Sequence, residues 1–280
     1  MNKIKFPNLG LSFNINPVAF KIGNFEIYWY AIIIVLGIIL GFSYAYFLCR
    51  KKGDDTEALY DVLLFGVPSA IVCARAYYVI FNFSSYKNDI WSIFNIHEGG
   101  IAIYGGVIGA ALSTYIYAKV KKTDFLKLFD YGAAGLLVGQ SVGRWGNFVN
   151  QEAFGGNYDG ILSMTGTGIK QALTEMQKAG MNVSPEMGVH PTFLYESIWN
   201  LIGIILIYFI FKKKDRSGLP FAFYIGWYGI GRFIIEGLRT DSLMIGATGI
   251  RVSQVVAFIS VCVSVFLFSF LLKKRRAEDE

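Results

Sequence analysis

Three arginines, Arg75, Arg144 and Arg232, lie inside hydrophobic stretches of a 280-residue chain that is 54% apolar. An arginine near a bilayer centre costs about 2.5 to 3.5 kcal/mol on insertion scales, so each needs a compensating anion, a water-filled cavity or both. One anionic ligand is the simplest common compensation. Tyr228, Arg232, Glu236 and Arg239 recur at intervals of four, four and three, which places them on one helical face. On that face Arg232 and Glu236 either neutralise each other as an intrahelical pair or present their charges to a ligand. Arg144 has no acidic neighbour within its own stretch, since Glu152 lies beyond the end, so it requires something from elsewhere. The segment Gly143-Arg144-Trp145-Gly146-Asn147-Phe148-Val149-Asn150-Gln151-Glu152-Ala153-Phe154-Gly155 concentrates Gly, Asn and Glu. Such residues break a helix and free backbone N–H groups and amides, so Asn147, Asn150, Glu152 and Gly155 read as a phosphate-facing turn.

The elements that must position these groups are membrane spans. Apolar runs at 27–48, 58–82, 191–211, 219–238 and 250–272 reach or approach the roughly 20 residues that cross a bilayer. Two Gly-rich runs, 101–118 and 131–148, complete an expected bundle of seven transmembrane helices in an all-α fold. The patterns Gly135-x3-Gly139-x3-Gly143 and Gly105-x3-Gly109 predict close helix packing. The basic clusters Arg50-Lys51-Lys52, Lys119 to Lys127, Lys212-Lys213-Lys214 with Arg216, and Lys273 to Arg276 all fall on one side of that bundle. The positive-inside rule then puts the N-terminus outside and the C-terminus in the cytoplasm. The net charge of +6 is a topology signal, with anionic membrane lipids as secondary contacts, and does not point to nucleic acid. The first apolar run reads as a retained span and not as a signal peptide.

Residues 150–190 are predicted to form a small extracytoplasmic subdomain with an amphipathic helix from Ile169 to Ala179 ended by Gly180. The chain therefore divides into membrane helices 1–4 (1–149), a head (150–190) and membrane helices 5–7 (191–280). With about 1.5 Å of rise per residue, Arg75, Arg144 and Arg232 stand roughly 20 to 25 Å above the inner side, in the outer half of the bilayer. Tyr30 and Tyr104 enter from the opposite side, a few residues into their spans, and reach a similar level. Cys49, Cys73 and Cys262 are isolated and read as packing residues. Of the two histidines, His97 reads as a solvated loop residue and His190 stands at the start of a span. No acidic pair at ligand spacing accompanies them, and no metal or cofactor is expected.

On these residues the chain resembles the bacterial prolipoprotein diacylglyceryl transferases. The signature-like segment 143–155 carries the likeness, together with Trp29-Tyr30, the GGIAIYGGVIG segment at 99–109, His190-Pro191-Thr192-x2-Tyr195-Glu196 and Tyr228-Gly229-x2-Arg232-Phe233-x2-Glu236. The resemblance implies transfer of diacylglycerol from phosphatidylglycerol to the thiol of a lipobox cysteine in a preprolipoprotein signal peptide, with release of glycerol 1-phosphate. It implies a location in the bacterial cytoplasmic membrane. Arg144 and Arg232 are then expected to stabilise the departing phosphate, and the nucleophile comes from the substrate. Asn147, Asn150, Glu152, Gly155, Arg75, His190, Tyr228, Glu236 and Arg239 are expected to line the substrate site, with Tyr30 and Tyr104 beside the reaction. Many family members carry His-Gly-Gly where this chain has Tyr104-Gly105-Gly106, so the role of that histidine as base does not carry over. A phenol with a reference pKa near 10 is a poor base but can orient the thiol or the ester oxygen.

A transporter or flippase for an anionic lipid or solute is the alternative. It accounts for the arginines and glycines, but transport sites usually lie near the midplane between structural repeats, and no repeat is visible here. A structural scaffold would leave three intramembrane charges without purpose.

Overall fold

The computed structural model describes residues 2–87, 89–95, 99–213, 217–246 and 248–279, with backbone alone at residues 2 and 275–279. His97, Lys214 and Arg216 thus lie outside the described residues, as do the side chains of Arg275 and Arg276. The chain is mostly helical: α1 (Trp29–Lys52), α2 (Glu57–Phe81), α3 (Ile103–Lys121), α4 (Phe125–Asn150), α5 (Thr167–Lys178), α6 (Thr192–Phe211), α7 (Leu219–Glu236) and α8 (Val252–Asp279). Seven long helices occupy the seven apolar stretches, and α5 is the expected amphipathic helix, with Gly180 at φ +86° just beyond it. Among the described residues, α1, α2, α6 and the Val252–Lys274 part of α8 are long and apolar enough to cross a membrane. In α3, α4 and α7, glycines with polar and charged side chains dilute the apolar character.

The all-α expectation fails at the start of the chain. Residues 2–28 form two hairpins, β1 (Asn2–Phe6) with β2 (Leu11–Ile15) and β3 (Val18–Ile22) with β4 (Phe25–Tyr28). A fifth strand, β5 (Thr165–Gly166), pairs with the free edge of β1 to give the order β2-β1-β5. The cause is a period-two pattern: Ile4 and Phe6 are buried while the alternating Lys3 and Lys5 are exposed, which suits a half-buried strand. Gly10 and Gly23, both at positive φ, turn the two hairpins.

The structure divides into two compact units, residues 1–44 with 132–280, and residues 45–131. In the first, Ile4 and Phe6 join Phe148, Val149, Phe154, Met164, Ile169, Leu173, Val189 and Phe193 in one buried cluster. That cluster ties β1, the end of α4, α5 and the start of α6 together. Along α1, Tyr30, Ile34, Gly37 and Gly41 face Gly146, Gly143, Gly139 and Gly135 of α4 in antiparallel order. A Cβ at Gly37 would fall 3.2 Å from the Gly139 carbonyl oxygen, so the glycine rows permit near backbone contact. Between α6 and α7 two indoles exchange bonds: Trp199 Nε1 donates to the Trp227 carbonyl (2.9 Å) and Trp227 Nε1 to the Trp199 carbonyl (3.0 Å). Their rings stack at 4.2 Å, and Gly203 and Gly231 leave the space they occupy. This lock sets the register between α6 and α7. In the second unit, Gly105 and Gly109 of α3 abut the backbone of α2 at Cys73 and Ser69.

Candidate active site

Three helices of the first unit place charged side chains in contact. Arg144 of α4 meets Glu196 of α6, Nη2 to Oε2 at 2.5 Å. The other oxygen of Glu196 faces Arg232 of α7 at 3.7 Å and Arg239 at 3.9 Å. Arg232 also pairs with Glu236 one turn on, at 2.7 Å. The intrahelical pair left open by the sequence is therefore formed, and Arg232 faces the cluster as well. Gly237 ends α7, so Arg239 leaves the helical face through a turn and forms a bidentate pair with Asp241 (2.9 and 2.7 Å). Burial opposes both ions, but the two bonds outweigh it: the Asp241 carboxyl is held below its usual range and the Arg239 guanidinium above its own.

Burial separates the two glutamates from the arginines. The side chains of Glu196 and Glu236 are 7% and 2% exposed, whereas those of Arg144, Arg232 and Arg239 keep 20%, 17% and 12%. Glu196 and Glu236 back the cluster, while the arginines, and Asp241 at 41%, hold its accessible surface. Arg144 commits one further nitrogen, Nη1 to Asn147 Oδ1 at 3.4 Å. A guanidinium has five N–H donors, so among the described residues Arg144 retains donors for a ligand.

The turn after α4 is built as a bracket. Asn147 Nδ2 donates to Glu152 Oε1 at 2.9 Å, and Asn150 reaches the same oxygen at 3.5 Å. Gln151 and Ala153 adopt φ of +55° and +56°, an uncommon left-handed conformation for non-glycine residues that reverses the chain directly beside the arginines. Gly155 then threads between two elements: its N–H donates to the His190 carbonyl (2.9 Å), and the Gly156 N–H donates to the Leu238 carbonyl (2.8 Å). A Cβ at Gly155 would fall 2.7 Å from His190 Cβ and 2.9 Å from the Leu238 oxygen. Gly155 is thus the crossing point that keeps Arg239 beside the turn.

The other expected site residues have separate surroundings. Tyr30 lies against Gly146, where a Cβ would be 2.7 Å from its ring, two residues from Arg144. Tyr228 stacks on Tyr224, whose hydroxyl accepts from Gln140. His190 stacks on Tyr158 at 4.1 Å and faces the Tyr195 hydroxyl at 3.2 Å through Nδ1, and burial lowers its pKa. Tyr104 and Arg75 belong to the second unit. Tyr104 is the second residue of α3 and 43% exposed. Arg75 is 8% exposed, and its expected anionic partner is replaced by backbone carbonyls, which take all five of its N–H donors.

Two residues at this site escaped the sequence reading as individual candidates. Glu196, the hub of the cluster, carried a signal: it is an acid in an otherwise apolar span. Gln151 is buried, and its Oε1 accepts from the N–H groups of Gly168 (2.9 Å) and Ile169 (3.4 Å), capping the first turn of α5.

Residues 17–270 match the family model described as prolipoprotein diacylglyceryl transferase. A phosphatidylglycerol–prolipoprotein diacylglyceryl transferase of Clostridium kluyveri is 44% identical over 264 residues, covering 94% of this chain and all of the relative. Proteins of the same name from two Clostridium botulinum strains, Loch Maree and Langeland, are each 42% identical over 93% of this chain and 99% of their own length.

Proposed function

Because the chain belongs to the prolipoprotein diacylglyceryl transferase family, we propose that it transfers diacylglycerol from phosphatidylglycerol to the cysteine thiol of a lipobox in a preprolipoprotein signal peptide. A carbon–sulfur bond forms as the bond between the diacylglycerol carbon and a phosphate oxygen breaks. Glycerol 1-phosphate leaves, and the thiol proton passes to a base or to solvent. The phosphodiester starts with one negative charge, and its leaving oxygen gains charge in the transition state. Arg144 and Arg232 face that oxygen; Glu196 and Glu236 hold their guanidinium planes, so little reorganisation accompanies the step. The observation that carries this reading is that Arg144 keeps uncommitted donors and accessible surface with Glu196 behind it. Asn147, Asn150 and Glu152 flank the phosphate side; the role of Tyr104 in orienting the thiol or the ester oxygen is taken from the resemblance.

The seven long helices are spans in the bacterial cytoplasmic membrane, with the N-terminus and the 150–190 head outside and the C-terminus in the cytoplasm. Large exposed apolar side chains along α1, α2, α6 and α8 support that placement. Relatives named as transferases favour catalysis over the transport of an anionic lipid. The test is to incubate the purified protein with phosphatidylglycerol and a lipobox peptide. The peptide mass should rise by one diacylglyceryl group and stay unchanged when its cysteine is replaced by serine. An unmodified cysteine peptide, with folded protein and bound lipid, would contradict the proposal.

A further inference from the structure

Arg75 is the same residue type as Arg144 in a similar apolar helix, yet its surroundings differ in kind. Its Nε donates to the Ile93 carbonyl (2.7 Å), Nη1 to Gly99 (2.8 Å) and Gly100 (2.9 Å), and Nη2 to Ser92 (2.8 Å) and Asn95 (3.0 Å). The Tyr86 ring lies 5.3 Å from the guanidinium carbon. Five donors meet five carbonyls, so the charge is compensated by peptide dipoles and an aromatic face.

The acceptors all belong to the segment that leads into α3, which the Ala102 N–H also ties to the Ala74 carbonyl at 3.1 Å, one residue from Arg75. Gly99 and Gly100 take φ of +87° and +75°, turning both carbonyls onto the guanidinium, and a Cβ at Gly100 would collide with Arg75 Nη1 and approach Tyr78 at 2.9 Å. Four residues beyond Gly100 stands Tyr104.

We propose that Arg75 is a positioning residue: its guanidinium fixes residues 92–95 and 99–100 on α2 and thereby sets where Tyr104 stands at the start of α3. It acts on the reaction through Tyr104 and not by binding the phosphate. Only the activity half of the test rests on the transferase reading.

The experiment uses the full-length protein in detergent, with Arg75→Gln, Arg75→Lys, Gly99→Ala and Gly100→Ala compared by amide hydrogen exchange and by kinetics on phosphatidylglycerol. Gly99→Ala and Gly100→Ala carry similar left-handed strain, but only Gly100→Ala reaches Arg75; at Gly99 nothing lies within 4 Å of an added Cβ. Arg75→Gln and Gly100→Ala should raise exchange at 92–95 and 99–104 beyond Gly99→Ala. They should also lower kcat on the order of tenfold or more with KM for phosphatidylglycerol nearly unchanged, as expected of a misplaced group. Arg75→Lys, with three donors, should recover part of both. Tyr104→Phe should lose less in the Arg75→Gln background than in the parent protein. Unchanged exchange with a raised KM would overturn the proposal in favour of lipid binding by Arg75, and raised exchange with unchanged kcat would overturn the link to Tyr104. If Arg75→Gln does not fold, Gly100→Ala and Arg75→Lys decide the matter. A parent protein without transfer would refute the transferase reading, while the exchange result would still judge the clamp.

Discussion

At the scale of the residue, burial alone says little about what an intramembrane arginine does; its spent and unspent donors say more. Among the described residues, Arg144 meets one carboxylate and one amide and keeps the rest of its fork free. Removing Glu196 therefore tests alignment more than charge. Glu196→Gln should lower kcat on the order of 10- to 100-fold in a glycerol phosphate release assay, while the protein stays folded, because Arg144 and Arg232 lose the acid that fixes their planes. Activity at the parent level would place the cluster outside the reaction. Tyr104→Phe should lower turnover on the order of tenfold, and Tyr104→His should retain more than the Phe variant, since an imidazole both bonds and accepts a proton. An undiminished Phe variant would reduce Tyr104 to packing. Residue type and spacing singled out the arginines and the Asn-Glu turn and left the Arg232–Glu236 pair as one of two readings; that backbone carbonyls would compensate Arg75 was not legible. Nor was Glu196 as the partner of Arg144, because no helical period connects positions 144 and 196; only the packing of α4 on α6 does.

At the scale of the element, the site depends on helices that approach closely and cannot slide. The Trp199–Trp227 exchange locks α6 to α7 three residues from Glu196 and five from Arg232. Gly231→Ala would drive a methyl into the Trp199 indole, whose ring is held by stacking and a hydrogen bond. It should lower stability by about 1 to 3 kcal/mol, read as thermal unfolding in detergent, and reduce activity with it. An unchanged midpoint would mean that the indoles yield. His190 gives the fold a pH-dependent contribution to stability. Burial lowers its pKa, so the folded state prefers the neutral ring; that contribution is complete above about pH 6.5 and is lost as pH falls towards the folded-state value. The thermal midpoint should therefore fall between pH 7 and 5 by more than in His190→Gln, and equal slopes would contradict the assignment. Long apolar runs made the helices legible, and Gly180 marked the end of α5. The N-terminal strands were not, since a period-two pattern over five residues is brief and β1 is completed only by β5, some 160 residues away.

For the whole molecule, α1, α2, α6 and α8 are long and apolar enough to cross a membrane, and within the first unit residues 154–189 share a buried core with β1. In a cysteine-free background, single cysteines at Trp91 and Ile161, 83% and 70% exposed, should react with an impermeant thiol reagent added outside intact cells. Cysteines at Gly53 and Lys122 should react only after lysis. Labelling of all four from one side would break the seven-span topology. The basic clusters predict an orientation that this labelling tests, whereas the division into two compact units arises from tertiary packing that no local pattern records. Arg144, backed by Glu196, is proposed to stabilise a departing glycerol phosphate. That role is tested most directly by measuring glycerol phosphate released from phosphatidylglycerol, with and without a lipobox cysteine peptide, by the parent protein and by Arg144→Ala. Release should require the peptide cysteine and fall by a factor of about 10² or more in the variant, which should remain folded and inserted. Parent-level release by Arg144→Ala would contradict it.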